Sequence, residues 1–599
     1  MAISGKKKLG LTSAVLVSVF IFFIIGQYAG GAYFLDSTLI SLDYLTYDTL
    51  YNNSIKYIND DSFTQVLQIG LLISFVVTMF PIGIAIMFFY IFLEQEEIHG
   101  SARWANDKEL AASGLFPTDK QRKTPSILLG KMTTGKFAGK YVELVGQLFA
   151  GVGAPTRSGK GVSIVIPNLV TFTDSVIVLD LKLENFIKTG GFRQKYNHEV
   201  FLFCPSGYNP DYKYDSEDLD GSKEAKDLRS HRWNPFDYVR RHDAFRVGDI
   251  LVMTNSLYPL TGDKNDIWNE LAGKLFKGLA LWMLDTEKLK NVTPTLPYIL
   301  ELTAPDGGLV KWMKNEISLG YLSKETILEF NNFIEAPDET RGSILSNLVS
   351  PLAIFSDKVV AASVSGSDFN FRDLRRKKTA IYIGIAPKTL GKFKKLINLF
   401  FEQAISENIS VLPEQDPSLK YQCLMVMDEF TAIGRVQQIS HSISFTAGYN
   451  VRFLIIYQSN EQLEDKKAYD VSGAGNILKN LAARVVFPPK EVDDSVKRLS
   501  DTLGTKTVKV KSDSRSKGKG ISTSANTSKQ KRPLMMPHEI IELGTILHKT
   551  APLGIKTILI KENQRPFIMD KIFYFDEPIL LERVNYSINN KPEVPLLSL

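Results

Sequence analysis

The stretch "GVGAPTRSGKGVSIVIPN", residues 151 to 168, places a lysine between glycines in the setting of a phosphate-binding loop. In the G-x-x-x-x-G-K-[ST] pattern, loop amides and the dipole of the following helix cradle phosphates while the lysine reaches the β and γ positions. The expected binding residues are Ala154, Pro155, Thr156, Arg157, Ser158, Gly159, Lys160, Gly161 and Val162. Ala154 stands where the first glycine belongs, and Gly161 stands where a hydroxyl would ligate Mg²⁺. One metal ligand must then come from water or another side chain. Ser163 lies two residues on, about 200° around a helix, and does not substitute.

Two further stretches supply complementary chemistry. In "YQCLMVMDEFTAIGR" the apolar run Cys423 to Met427 reads as a buried strand that ends in Asp428 and Glu429. Asp428 is suited to hold the shell of a Mg²⁺ ion, and Glu429 to orient and activate an attacking water. In "NVRFLIIYQSNEQL" another apolar strand delivers Gln458, an amide able to contact a γ-phosphate or its water. Three strands ending in such groups point to a nucleotide hydrolase using ATP and Mg²⁺. "SVIVLDLKLENF" offers a competing carboxylate, Asp180; the pair at Asp428 and Glu429 is the preferred metal and water site, with Asp180 and Glu184 supporting it.

Elements that position these groups alternate between apolar β-type runs and amphipathic helical stretches, as an α/β architecture requires. About 270 residues separate Lys160 from Asp428, too many for a compact nucleotide core. An all-α insertion over about 245–365 accounts for the excess, with Trp268, Leu271, Leu275 and Leu279 at helical steps. The expected nucleotide-binding domain then comprises 94–244 and 366–599. Within it, 509–532 is rich in Ser, Lys and Gly and reads as a disordered basic loop.

Residues 1–93 read as a membrane anchor. Two uncharged runs, about 9–35 and 66–93, are each long enough to cross a hydrocarbon core of about 30 Å. Pro81 in the second is tolerable in a membrane helix. Lys6, Lys7 and Lys8 precede the first run, whereas the connecting loop 36–65 holds only Lys56, so both ends of the hairpin should face the cytoplasm and the loop the periplasm. A cleaved signal peptide fits less well, because its apolar core runs to about 7–15 residues. The 599 residues suggest about four units of roughly 150. A net charge of +6, from 71 basic and 65 acidic residues, permits contact with nucleic acid or anionic lipid without demanding it. Cys204 and Cys423 have no metal-ligand or C-x-x-C spacing and read as buried fillers.

With these residues in place, the chain resembles the type IV secretion coupling proteins of the TraG kind, membrane-anchored relatives of the FtsK-like hexameric translocases. "HGSARWA", "APTRSGKGVSIVIPNLV", "VIVLDLKLENF", "RWNPFD", "MDEFTAIGR", "SFTAGYNVRFLIIYQS" and "KRPLMMPHEI" carry the resemblance, in order, over nearly the whole chain. It implies a RecA-like P-loop fold with an inserted all-α domain and a two-helix transmembrane hairpin, in the bacterial inner membrane and hexameric when active. It also implies single-stranded DNA held by a relaxase, or effector proteins, as cargo, and inner-membrane components of the secretion apparatus as partners. Family members share the glycine at Gly161, so its presence is compatible with a working site. Some relatives carry an arginine where this chain has Ala447; Arg435, Arg452 and Arg484 are candidates to replace it. The competing functions are a non-hydrolysing membrane receptor for secretion substrates and an FtsK-like chromosomal DNA translocase.

Overall fold

The computed structural model describes residues 5–92, 98–212, 221–260, 262, 264, 266–517 and 521–599, and divides into two units, Met1–Ile98 and His99–Leu599. Leu93 at the end of the second expected span, Glu94 to Glu97 at the start of the expected nucleotide-binding domain, and Gly518 to Gly520 of the basic segment lie outside the described residues.

In the first unit, helices Gly5–Ser37 and Thr64–Phe92 pack against each other, the second continuing through Pro81. Within them, Val15–Ser37 and Thr64–Met87 are long and apolar enough to span a membrane. Small residues set the close approach: a Cβ on Gly30 would lie 2.4 Å from the Gly70 carbonyl oxygen. Gln27 Nε2 donates to Ser74 Oγ at 3.0 Å across the pair. Phe20, Phe23, Leu72 and Phe75 remain exposed, a surface that suits lipid better than water. The connection holds a short helix Thr49–Lys56, with the Tyr57 ring tilted at 39° against Phe63, centroids 4.7 Å apart.

The second unit is built on one large mixed sheet. Its strands are β1 (Ile127–Lys131), β2 (Tyr141–Leu144), β3 (Ala150–Gly153), β4 (Ser175–Asp180), β5 (Glu199–Phe203), β6 (Thr379–Gly384), β7 (Cys423–Met427), β8 (Val451–Tyr457) and β9 (Ala483–Val486). A ribbon of β10 (Thr505–Lys517) and β11 (Ile521–Pro533) follows, and β12 (Lys556–Lys561) and β13 (Phe567–Asp570) return to the sheet. The sheet order is β2-β1-β13-β12-β9-β3-β8-β7-β4-β6-β5. From β9 to β5 every pairing is parallel; β12, β13, β1 and β2 extend the sheet antiparallel beyond β9.

Every residue of β4, β6, β7 and β8 is buried, because both faces of the parallel block are covered. Along β4, Ile177 and Leu179 join one apolar core while Val176 and Val178 join the other. The chain between β5 and β6 forms helices that include Asp243–Leu257, Asp266–Thr286, Lys324–Ile334 and Asp338–Leu352. Trp282, Phe330 and Leu348 on these helices share one continuous core with the first sheet face. Leu275 and Leu279 are buried and Leu271 packs against them, whereas Trp268 is only partly covered. Cys204 and Cys423 are free and buried, and burial pushes both thiols up, to about 11 and about 12.

Over 509–532, where a disordered basic loop is expected, the described residues are drawn as strands. β10 and β11 pair antiparallel in unbroken register from Thr505↔Pro533 to Lys517↔Ile521. They are held by paired backbone, with the β-branched Thr505 and Thr507 on one face near the base and Val508 and Val510 on the other. Its base is pinned: Ala102 N donates to Thr505 O at 3.0 Å, Thr507 N to Gly100 O at 3.1 Å, and Leu534 N to Gly504 O at 2.8 Å.

Candidate nucleotide site

Strand order assembles the site. β3, β8, β7 and β4 are consecutive and parallel, so their carboxyl ends open side by side at roughly 4.8 Å intervals. In an open α/β sheet that edge is where ligands bind. The loop from Ala154 to Gly159 leaves β3, Gln458 follows β8, Asp428 and Glu429 follow β7, and Asp180 ends β4. Ala154 N donates to Tyr457 O at 2.9 Å, tying the loop's first residue to the strand that carries Gln458.

The loop has the backbone of an anion cradle. Arg157 and Gly159 both adopt positive φ, 58° and 84°, which turns loop amides toward one concavity. The chain is helical from Gly161, first as a wide turn to Val165 and then as Ile166–Leu169, so a helix start faces the loop. Ser163 Oγ is spent on the Gly159 carbonyl at 2.8 Å, in keeping with its exclusion as a replacement hydroxyl. A Cβ on Gly161 would meet no atom within 4 Å.

Lys160, Asp428, Glu429 and Gln458 form one connected cluster. The Lys160 ammonium hydrogen-bonds Glu429 Oε1 and lies 3.3 Å from Asp428 Oδ1. Gln458 Nε2 donates to Glu429 Oε2 at 2.8 Å. Glu429 sits in the left-handed region at φ 59°, which turns the chain sharply past β7. Burial raises the Asp428 carboxyl, with Glu429 adding to the effect and Lys160 opposing it. Burial also raises Glu429, but the hydrogen bonds from Lys160 and Gln458 outweigh it and hold that carboxyl below its ordinary value. Glu429 is therefore anionic at neutral pH, as a group that orients water must be.

The donor set fits Mg²⁺ shared with phosphate. Asp428 Oδ1 is buried and takes no hydrogen bond, having only the ion pair with Lys160. No cluster of three or more His, Cys, Asp or Glu side chains occurs among the described residues, so no all-protein metal cage competes. Mg²⁺ is ordinarily held by one or two carboxylates, phosphate oxygens and water.

Asp180 occupies a different role. It is 1% exposed, and its Oδ2 accepts from Phe186 N at 2.8 Å, capping helix Glu184–Lys195. Burial pushes its carboxyl up to about 7, against backbone hydrogen bonds that lower it and with the nearby Asp428 charge raising it further. Glu184 pairs with Lys188 at 2.5 Å on the same helix. Of the three arginines considered as replacements at Ala447, Arg452 is corrected outright. Its guanidinium is fully buried and donates to Leu148 O, Pro125 O and Leu144 O at 2.8 to 3.0 Å, closing the ragged ends of neighbouring segments. Arg435 pairs with Asp470 at 3.3 Å. Arg484 lines a cavity of about 320 Å³ beside this chain's own loop, together with Pro155, Thr156, Gln458, Lys490 and Arg498.

One contributor escaped the sequence reading. Lys571, just past β13, is 6% exposed and donates from Nζ to the Ser158 carbonyl at 2.9 Å, 413 residues away in the chain. Its ammonium lies 4.0 Å from the centroid of the Phe487 ring. Burial lowers its pKa to about 7, and among the described residues it forms no ion pair. Lys571 thus braces the loop through its outer, carbonyl side. No motif spacing could have found it, because the antiparallel strands β12 and β13 bring it there.

The family described as Type IV secretory system Conjugative DNA transfer matches residues 103–216 and 222–594. Protein VirD4 of Rhizobium rhizogenes is 29% identical over 513 residues, covering 85% of this chain and 70% of that one. Conjugal transfer protein TraG of Escherichia coli is 28% identical over 481 residues, covering 75% and 71%. Among solved structures, the unbound bacterial conjugative coupling protein TrwBdeltaN70 superposes with a TM-score of 0.54 at 16% identity, covering 80% of this chain and 97% of that one. TrwB in complex with the ATP analogue ADPNP superposes at 0.53 with 15% identity, covering 79% and 96%. At such identities the structures speak for a shared fold. The family match spans most of the chain, and with it this protein belongs to the type IV secretory conjugative DNA transfer family, as a type IV coupling protein of conjugative DNA transfer.

Proposed function

We propose that this chain is an ATPase that hydrolyses ATP at the ends of β3, β7 and β8 and uses the reaction to move cargo into a type IV secretion channel. The observation that carries the reading is the single hydrogen-bonded cluster of Lys160, Glu429 and Gln458, with Asp428 alongside. Ala154 to Val162 bind the phosphates through backbone amides, and Lys160 adds a positive charge at the β and γ positions. Asp428 holds Mg²⁺, which when bound supplies charge neutralisation of the phosphate oxygens. Glu429 orients and deprotonates the attacking water, and Gln458, bonded to Glu429, reports the state of the γ-phosphate to the helix Asn460–Glu464 that follows it.

The two apolar helices anchor the chain in the inner membrane with its termini on the cytoplasmic side. The active form is a homo-hexamer, and the cargo is single-stranded DNA bound to a relaxase, or an effector protein. The test is ATP hydrolysis by the full chain in nanodiscs, with and without single-stranded DNA, beside Lys160→Ala and Glu429→Gln. Turnover stimulated by DNA and lost in both variants is expected. A chain that binds ATP and assembles, yet shows no turnover above the Glu429→Gln background, would instead be the tethering receptor.

A further inference from the structure

The ribbon of β10 and β11 is absorbed by nothing in the nucleotide chemistry, and its register sorts its charge. Residues directly opposite in an antiparallel pair share a face, and successive residues alternate faces. One face therefore carries Thr507 with Lys531, Lys509 with Lys529, and Lys511 with Thr527. The other carries Val508 with Gln530 and Val510 with Ser528, ahead of Ser512. Four lysines thus fall on one face of a segment whose opposite face is neutral.

Lys509 and Lys529 stand directly across from each other, which concentrates positive charge at the middle of this face. Lys509, Lys511 and Lys531 are exposed and make no ion pair among the described residues. By contrast, the basic pair at the ribbon's base, Lys506 and Arg532, lies on the other face, and Arg532 bonds Glu539 at 2.5 Å. A two-stranded ribbon is also narrow enough to follow a nucleic-acid groove or backbone. A bilayer surface is disfavoured as occupant, since interfacial elements need an apolar face and here Val508 and Val510 give way to Ser512.

We propose that this ribbon is a sequence-independent nucleic-acid contact, its lysine face lying along DNA phosphates. The proposal deepens the reading of DNA as cargo and is separable from the nucleotide site, because it is read by binding alone. Fluorescein-labelled oligothymidine is titrated into the full chain in phosphatidylcholine nanodiscs between about 50 and 200 mM salt. The native chain is compared with a variant carrying Lys509→Gln, Lys511→Gln, Lys529→Gln and Lys531→Gln, and with the matching four-arginine variant.

Each lost phosphate contact flattens the slope of log affinity against log salt by about 0.7 for single strands, so the glutamine variant should lose up to about 3 in slope. The arginine variant should keep the native slope, and unstimulated ATP hydrolysis should be equal in all three. A glutamine variant with native slope and affinity overturns the proposal. So does native DNA binding that vanishes in phosphatidylglycerol discs, which would make lipid headgroups the occupant.

Discussion

Gly161→Ser tests the reading of the loop most directly, because the structure says both that the residue fits and what it would add. A Cβ there meets nothing within 4 Å, and Gly161 lies in the first helical turn after Lys160, so the substitution is free of clash. Replacing glycine by serine inside a helix gains about 0.3–0.5 kcal/mol of propensity. The hydroxyl stands where the metal-ligating Ser or Thr of the common motif stands. If it displaces one water from the Mg²⁺ shell, an interaction of about 1 kcal/mol lowers the half-saturating Mg²⁺ concentration about fivefold. The assay is a thermal melt for the fold and a Mg²⁺ titration of ATP turnover at saturating nucleotide. The expected result is a melting temperature unchanged or slightly raised and a left-shifted Mg²⁺ curve. A lowered melting temperature would refute the open space. An intact fold with unchanged Mg²⁺ dependence would refute the placement of the metal next to Gly161 and Asp428.

Asp180→Asn and Asp428→Asn should separate the two buried carboxylates. Asp180 is a helix cap, so Asp180→Asn should keep Mg²⁺-dependent nucleotide binding while Asp428→Asn loses it; the reverse pattern would transfer the metal to β4. The first variant also has a pH signature. Burial raises the folded pKa of Asp180 above its value of 3.8 to about 7, so its contribution to stability is full below about 4 and is lost as pH rises through 7. Asp180→Asn should therefore gain in melting temperature relative to the native chain between pH 5 and pH 8. Arg452→Met leaves the carbonyls of Leu148, Pro125 and Leu144 without their donor, and should cost about 3–5 kcal/mol in urea unfolding. Unchanged stability with lost turnover would instead make it a charge acting on nucleotide.

The parts of the site legible in the sequence are those whose physics is local to one strand end. Cys423 to Met427 and the run into Tyr457 are apolar at nearly every position because both sheet faces are covered, and such runs announce where a polar group must emerge. That logic placed Asp428, Glu429 and Gln458 on neighbouring strands. It could not place Lys571, whose contact with Ser158 depends on β12 and β13 adding to the sheet beyond β9. Nor does it reach the described parts of 509–532, which are held by paired backbone with no apolar core of their own. Arg452 shows the sharper limit. Like Lys160 it is a cation beside the apolar strands of the site, and from its type and position either could serve phosphate. What separates them is the acceptor each one finds. Backbone carbonyls consume the donors of Arg452 permanently, as part of the fold. Lys160 meets carboxylates at the open end of the sheet, where phosphate oxygens can take over the same donor with no loss to the core. A cation's role in this fold is decided by whether its partners are structural carbonyls or exchangeable anions, and that distinction arises only when the strands are set side by side.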